Sequence, residues 1–221
     1  MSAIRALRTG GLHSSGMGDR ADVPSFSLPQ TFTVTLWMKA YSFEPGSFEW
    51  AFIHLYPGVW YGTASLTVEP EFWAAYRIHG SDGNEYYFYV PSAYDAGLFT
   101  HVACVCDGAK MALYKNGTRV AERSIPVPPA PSTNTLILLE HGWGTSHTPM
   151  TIADFRVYNR ALSDDEIRAI YERDALIRDG LVLLLDFTEG DGSVAYDKSG
   201  YGNHATIYGA RWVVKKALYR A

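Results

Sequence analysis

Residues 100–123, THVACVCDGAKMALYKNGTRVAER, decide the fold class of this 221-residue chain. Three short runs without Gly or Pro are separated by two turn dipeptides, Asp107-Gly108 and Asn116-Gly117. Asn-Gly readily takes the positive φ angles of a tight hairpin turn. The stretch therefore predicts three consecutive strands that pair antiparallel.

Strand patterns also dominate the rest of the chain. In TFTVTLWMKA (31–40), large apolar side chains alternate with threonines, as a strand with two different faces requires. Further predicted strands are EYYFYV (85–90), TLILLE (135–140), MTIADFRVY (150–158) and LVLLLDF (181–187). Many short strands with turns between them predict an all-β fold, an antiparallel sandwich of two sheets that forms a single domain over residues 1–221.

One helix is predicted, in LSDDEIRAIYERDALI (162–177). Ser163 is a suitable N-cap, and Glu166 three residues later completes a capping box. Asp164 and Asp165 stand in the first turn, where negative charge suits the helix dipole. We expect one short helix near residues 163–176, packed on the sandwich.

Composition and charge exclude several partners. The formal net charge is -4 and there is no basic tract, so we expect no nucleic-acid binding. No apolar run is long enough to cross a bilayer, so we expect no membrane insertion. Cys104 and Cys106 are predicted to be two buried small hydrophobes that do not bond to each other, the alternative being a reactive or metal-binding pair. Gln30 is the only glutamine, which is compatible with a heat-adapted (thermophile) source.

Three stretches resemble a known family. FTVTLWMKA (32–40) is similar to its first core strand, and FTHVACVCDGAKMALYKNGTRVAE (99–122) to its central hairpin. IADFRVYNRALSDDEIRAIYE (152–172) is similar to its closing strand and helix. The chain thus resembles the concanavalin A-like lectin/glucanase superfamily, in particular its laminin-G-like (LamG or pentraxin-type) domains. The resemblance implies a jelly-roll sandwich.

The order of the segments differs from the order in that family. LVLLLDFTEGDGSVAYDKSGYGNHATIYGARWV (181–213) is similar to the family's opening segment, yet here it follows the helix. Three explanations stay open: residues 180–221 complete their own domain by circular permutation, they complete a neighbouring copy by strand exchange, or they are a truncated second repeat. RALRTG (5–10) and KALYRA (216–221) match the same family strand, so we expect one of them at a sheet edge, where a neighbour could pair with it.

Catalytic motifs are missing from the sequence. Glycosidases that share this sandwich carry E-x-D-x-x-E on one strand, and no such motif occurs here. Glu69 and Glu71 have a suitable spacing but flank Pro70, which does not suit a central strand. No G-x-S-x-G, zinc motif or phosphate loop is present. We predict that the protein is not an enzyme.

A structural calcium ion is implied by the resemblance, near YDKSGYGNHAT (196–206). The candidate ligands are Asp197, Asn203 and, as a more distant third, Asp154, because hard cations prefer carboxylate, amide and carbonyl oxygens. The alternative is that Asp197 forms an Asx-type turn and binds no metal. No other cofactor is expected.

Sugar or partner binding is predicted at two aromatic loops. PGVWYG (57–62) carries Trp60 and Tyr61, and EHGWGTSH (140–147) carries His141, Trp143 and His147. Aromatic rings with polar groups at the rim are typical of lectin sites. Core packing is the alternative for aromatic residues on strands.

These observations leave three hypotheses on function. The first is a non-catalytic structural or interaction subunit of a surface or virion assembly, such as a capsid, decoration or fibre protein, that binds copies of itself or coat proteins through terminal edge strands. The second is a secreted carbohydrate-binding module, and the third is a glycoside hydrolase. Because residues 1–15 lack the apolar core of a signal peptide, we rank the assembly subunit first, made in the cytoplasm and located in a virion or cell-surface assembly.

Overall fold

The computed structural model describes residues 10–41, 49–56, 59–69, 73–141 and 148–214. Sixteen strands and one helix lie within these ranges. In chain order they are β1 (Gly10–Ser14), β2 (Arg20–Leu28), β3 (Phe32–Ala40), β4 (Glu49–Tyr56), β5 (Val59–Glu69), β6 (Trp73–His79), β7 (Glu85–Val90), β8 (Thr100–Cys106), β9 (Lys110–Lys115), β10 (Thr118–Ser124), β11 (Ser132–His141), β12 (Met150–Tyr158), α1 (Asp164–Arg173), β13 (Leu181–Leu185), β14 (Val194–Ala195), β15 (Ala205–Tyr208) and β16 (Arg211–Val214).

The strands form two antiparallel sheets of eight strands each. The first sheet follows the order β10-β9-β8-β3-β12-β1-β16, and β13 also pairs with β12. The second sheet follows the order β14-β15-β2-β11-β4-β5-β6-β7. The predicted all-β, two-sheet antiparallel sandwich is confirmed.

The two sheets enclose one large apolar core. On β3, Phe32, Val34, Leu36 and Met38 all point into it, as the alternating pattern predicts. Cys104 and Cys106 on β8 lie in the same core and are free thiols, as expected of two small hydrophobes. Burial raises the pKa of Cys106 to about 12, so the thiol stays protonated at neutral pH.

The predicted hairpin and helix signals are confirmed. Asn116 and Gly117 connect β9 to β10 with φ angles of 53° and 78°, the left-handed conformation of a tight turn. The Ser163 side chain accepts a hydrogen bond from the Glu166 backbone N–H, and both halves of the capping box are present. The helix α1 buries Ile167, Ala169 and Ile170 and packs on the outer face of the first sheet, in a second apolar cluster with β8 and β9.

The strands after α1 pair with strands from the first part of the chain. β13 pairs with β12, β15 with β2, and β16 with β1. Gly10 of β1 approaches Phe187 so closely that a Cβ there would lie 2.1 Å from the Phe187 carbonyl oxygen, so only glycine fits. Circular permutation and strand exchange would both pair the strands after α1 with strands from the first part of the chain. Both explanations stay predictions, and so does the truncated second repeat. Apart from Gly10, the RALRTG and KALYRA segments lie outside the described residues.

Within the described ranges, no helix combines the length and the hydrophobicity that crossing a bilayer would need.

Candidate functional site

The outer face of the second sheet carries a group of aromatic rings at its β6–β7 end. Because successive side chains on a strand alternate between faces, Tyr76 of β6 enters the core while Trp73 and Arg77 face outward. On β7, Tyr87 and Tyr89 lie on the outward face. Tyr87 pairs directly with Arg77 in the strand register. We call Trp73, Arg77, Tyr87 and Tyr89 the aromatic face.

The three rings of the aromatic face are exposed and touch one another edge to face. Trp73, Tyr87 and Tyr89 leave 37%, 41% and 44% of their surfaces open to solvent. The ring centres of Trp73 and Tyr89 are 6.2 Å apart, and those of Tyr87 and Tyr89 are 5.6 Å apart. These are favourable distances for T-shaped aromatic pairs, so the rings support one another and form a continuous surface.

Arg77 fixes these rings from below. The side chain is buried, with 6% exposure, and its Cζ lies 5.8 Å and 5.5 Å from the ring centres of Tyr87 and Tyr89. Nη1 donates a hydrogen bond to Thr67 Oγ1 at 2.7 Å, and Nη2 donates one to the Tyr89 hydroxyl at 3.1 Å. These hydrogen bonds and ring contacts hold the guanidinium in place, and it gives the aromatic face a rigid polar base.

Glu85 is an acid next to these groups. Burial raises the pKa of Glu85 on β7, and the positive charges of Arg77 and His79 act in the opposite direction. Glu85 pairs with His79 in the register of β6 and β7. The positive charge of Arg77 therefore has a carboxyl group nearby, and the face is not strongly basic.

The sequence did not single out Arg77, Tyr87 and Tyr89 as a site. The signal was nevertheless present in WAAYRIH (73–79) and EYYFYV (85–90), where alternate positions carry the outward-facing groups. What the sequence lacks is the register that sets Arg77 beside Tyr87. Two other aromatic residues of this sheet, Trp50 and Tyr76, are buried and do not add to the exposed surface.

Of the five residues predicted for sugar or partner binding, the structure describes only the backbone of three. Trp60 and Tyr61 lie in β5, and His141 is the last residue of β11, paired with Glu49 of β4. Their side chains, and all of Trp143 and His147, lie outside the described residues. Binding at these five positions stays a prediction.

The side chains of the three predicted calcium ligands form hydrogen bonds or an ion pair with other groups of the protein. Asp197 is buried, and its carboxylate accepts four hydrogen bonds: from the backbone N–H groups of Leu184, Ser199 and Asn203, and from the Ser199 hydroxyl. Burial acts to raise the pKa of Asp197, but these donors outweigh it, so the pKa lies below its ordinary value. The Asn203 amide donates to the Val182 carbonyl oxygen at 3.0 Å.

Asp154 forms a bidentate ion pair with Arg156, with both contacts at 2.7 Å. Among the described residues, no three Asp, Glu, His or Cys side chains lie together where they could hold a metal ion. The hydrogen bonds that Asp197 accepts from Ser199, two residues further on, are those of the alternative Asx-type turn. Calcium binding stays a prediction.

A second polar region lies on the first sheet, beside the start of α1. It is a groove of about 380 Å³ with charged residues from β9, β10 and α1 in its wall. Arg119 lies over the Tyr114 ring, with Cζ 5.6 Å from the ring centre, and donates to both oxygens of Asp164 at 2.7 Å and 2.9 Å. The Tyr114 hydroxyl donates to Asp164 Oδ1 at 2.6 Å. We call this groove the charged groove; its charged side chains are Asp107, Lys110, Arg119, Glu122 and Asp164.

The same fold occurs in several solved structures. A candidate carbohydrate-binding protein from Bacteroides ovatus matches with a TM-score of 0.69 and 16% identity, over 95% of this chain and 60% of that protein. The receptor-binding domain of botulinum neurotoxin D matches with a TM-score of 0.60 and 14% identity, over 73% of this chain. The ligand-binding domain of serotype D in complex with N-acetylneuraminic acid matches with a TM-score of 0.60 and 13% identity, over 72% of this chain.

This chain spans 43% and 41% of those two toxin structures. A search among curated proteins found no significant match.

A laminin G family model, described as the concanavalin A-like lectin/glucanases superfamily, matches residues 15–168. This is most of the chain, and it contains β2 to β12 and the first half of α1. The match confirms the resemblance seen in the hairpin and in the closing strand and helix. The chain therefore belongs to the concanavalin A-like lectin/glucanases superfamily, and its fold is lectin-like.

Proposed function

We propose that this protein is a non-catalytic carbohydrate-binding domain and that the aromatic face holds the glycan. The observation that carries the proposal is the arrangement of three exposed rings around a buried arginine. Exposed aromatic side chains that form a contiguous surface mark interaction sites. A cation buried beneath them fixes the rings in place before any ligand arrives.

The chemistry of the aromatic face suits a sugar. The flat face of an aromatic ring carries negative potential, which attracts the slightly positive C–H groups of a pyranose ring. The Tyr87 and Tyr89 hydroxyls stand at the border of the rings and can hydrogen-bond to sugar hydroxyls. Because the rings are already held by Arg77 and by each other, binding costs little side-chain entropy.

The comparisons support this proposal at the level of the fold. One similar structure is a candidate carbohydrate-binding protein, and another contains N-acetylneuraminic acid. The non-catalytic character is supported by two of the buried acids, Asp154 and Asp197. Asp154 is paired with an arginine, and Asp197 accepts four hydrogen bonds. Neither is arranged as one of two facing carboxyl groups of a glycosidase.

A glycan array tests the proposal with three forms of the protein: wild type, Tyr87→Ala and Tyr208→Ala. Tyr208 is a matched control, because it is a tyrosine with 45% exposure that lies near an arginine, Arg20, at the opposite edge of the same sheet. We expect wild type and Tyr208→Ala to retain the same glycans. We expect Tyr87→Ala to lose at least tenfold in affinity for them, about 1.4 kcal/mol.

Two outcomes would contradict the proposal. One is that wild type retains no glycan. The other is that Tyr87→Ala and Tyr208→Ala bind equally well, which would place the sugar elsewhere. Incubation with laminarin and detection of new reducing ends tests the non-catalytic part, and we expect no release of sugar.

Self-association is a second candidate function, favoured by the position of β16. This strand ends the path of the first sheet, and β1 is its one pairing partner among the described strands. Val213 on β16 is exposed. Edge strands can pair with another chain, and lysine on an edge opposes such pairing.

We expect Val213→Lys to lower the mass measured by light scattering if β16 joins copies of the chain. An unchanged mass would contradict self-association through this strand. A virion, coat or cell-surface assembly and a heat-adapted source stay predictions from the sequence.

A further inference from the structure

A cleft of about 380 Å³ opens at the side of the sandwich, away from β6 and β7. Its walls come from the second half of β2, from Asn159 just after β12, from Val182 of β13, and from the loop between β14 and β15. The loop contributes Tyr201 and Asn203. The cleft shares no residue with the aromatic face.

The cleft exists because β2 loses a partner halfway along its length. β15 pairs with β2 only at residues 20–22. Ser25 then adopts a φ of 53°, and the pairing of β2 with β11 shifts register at this point. Beyond the shift, the described residues pair this part of β2 with β11 alone, and the cleft lies beside it.

The loop that closes the cleft is fixed in place. Asp197 ties it to β13 through the Leu184 backbone N–H and to its own far side through the Asn203 backbone N–H. The Asn203 amide donates to the Val182 carbonyl oxygen at 3.0 Å, which sets the amide against the cleft wall. Tyr201, between these anchors, is 67% exposed. The loop therefore presents a tyrosine and an amide on a rigid turn.

The side chains that line the cleft are neutral. None of the lining residues among the described part of the chain is charged. Hydroxyl and amide groups come from Ser25, Ser27, Asn159 and Asn203. Apolar surface comes from Pro29 and Val182, which are half-buried, while the adjoining Phe26 and Leu28 are buried in the core. The charged groove has the same volume but is lined by five charged side chains, so the absence of charge is a property of this cleft and not of the protein surface in general.

We propose that this cleft binds a neutral saccharide residue that carries an acetamido group. The Tyr201 ring offers a face for the C–H groups of the sugar. The apolar surface of Pro29 and Val182, both half-buried, suits the acetamido methyl group, and the side-chain amides and hydroxyls suit its N–H and C=O groups. A sugar carboxylate would find no cation in the lining.

The test is a titration with N-acetylglucosamine, followed by the amide chemical shifts of the ¹⁵N-labelled protein. We expect saturable shifts in residues 25–28 and 199–204, and at least tenfold weaker binding by Tyr201→Ala. Tyr196→Ala is the matched control, because Tyr196 is an exposed tyrosine close by in the chain that does not line the cleft. We expect it to bind within twofold of wild type.

The ligand class is tested with glucose and glucuronic acid, and we expect both to bind at least tenfold more weakly than N-acetylglucosamine. Tyr87→Ala should bind N-acetylglucosamine in this cleft as wild type does. The proposal for the cleft is therefore tested independently of the proposal for the aromatic face. The proposal is overturned if N-acetylglucosamine produces no saturable shifts in these residues, if Tyr201→Ala binds as wild type does, or if glucose or glucuronic acid binds equally well. Should Tyr201→Ala fail to fold, Asn159→Ala provides the same test from the opposite wall.

Discussion

The aromatic face and the charged groove both place an arginine over a tyrosine, yet they bury opposite partners. In the charged groove the Tyr114 ring is buried, while Arg119 is exposed and bound to Asp164 and Glu122. On the aromatic face Arg77 is buried, while the rings of Tyr87 and Tyr89 are exposed. The same pair of residue types therefore leaves a charged surface in one place and a ring surface in the other.

The difference separates a structural contact from a binding surface. In the charged groove, the contacts of Asp164 join elements of the fold: Asp164 at the start of α1 is bonded to Tyr114 of β9 and to Arg119 of β10. On the aromatic face, the contacts of Arg77 leave the rings of Tyr87 and Tyr89 exposed to solvent. We infer that the charged groove serves mainly to dock the helix, and that the aromatic face serves a ligand.

The largest expected effect is that of Arg77→Ala on stability. The change removes a buried guanidinium, its methylene stem and the hydrogen bonds that it donates to Thr67 and Tyr89, so we expect a loss of about 2 to 4 kcal/mol in the free energy of unfolding. Urea denaturation measures this loss. An effect below that of Arg119→Ala would break the comparison, because the buried arginine would then matter less than the exposed one.

Tyr114→Phe is expected to have an intermediate effect. It removes the hydroxyl that donates to Asp164, at a cost of about 1 kcal/mol in the free energy of unfolding, and should leave glycan binding unchanged. Burial of the Tyr114 hydroxyl is the main cause that raises its pKa to about 12, and the hydrogen bond to the Asp164 carboxylate acts in the same direction. In the unfolded chain the pKa of a tyrosine is about 10. The neutral phenol therefore contributes its full stabilisation below that pH, and this contribution is lost as the pH rises toward 12.

The wild type should therefore lose more stability than Tyr114→Phe between pH 10 and pH 12, as measured by urea denaturation at each pH. Equal losses in the two proteins would show that the hydroxyl is not held in the neutral form by its surroundings.

The smallest expected effect is that of Arg119→Ala. Its ion pairs with Asp164 and Glu122 are exposed, so we expect a loss below about 1 kcal/mol that shrinks as salt is added. Urea denaturation at low and at high sodium chloride concentration measures the loss of stability and its dependence on salt. A large loss that salt does not reduce would mean that the charged groove is more buried in solution than its geometry indicates.

Local signals in the sequence predicted much of the fold. The Asn116-Gly117 turn, the capping box at Ser163 and the alternation in β3 each depend on residues a few positions apart, and all three are present. The aromatic face was not predicted, because Arg77 and Tyr87 meet only through the register of β6 and β7. The cleft was also missed, since Ser25, Asn159 and Tyr201 are far apart in sequence and meet only through sheet pairing.

The predicted calcium site shows the limit of motif reasoning in a different way. Asp197 and Asn203 were chosen as oxygen donors near glycines, which suits a cation and an Asx-type turn equally well. The sequence could not show that backbone N–H groups from Leu184 and Asn203 would reach the Asp197 carboxylate.

The most direct test of the central claim is to map a glycan retained by the array on the ¹⁵N-labelled protein by amide chemical shifts. Binding at the aromatic face predicts saturable shifts that cluster in residues 73–79 and 85–90, with none of comparable size around Tyr208 at the opposite edge of the sheet. Shifts confined to another part of the molecule, or no saturable shifts at all, would contradict the assignment of the aromatic face as the glycan-binding surface.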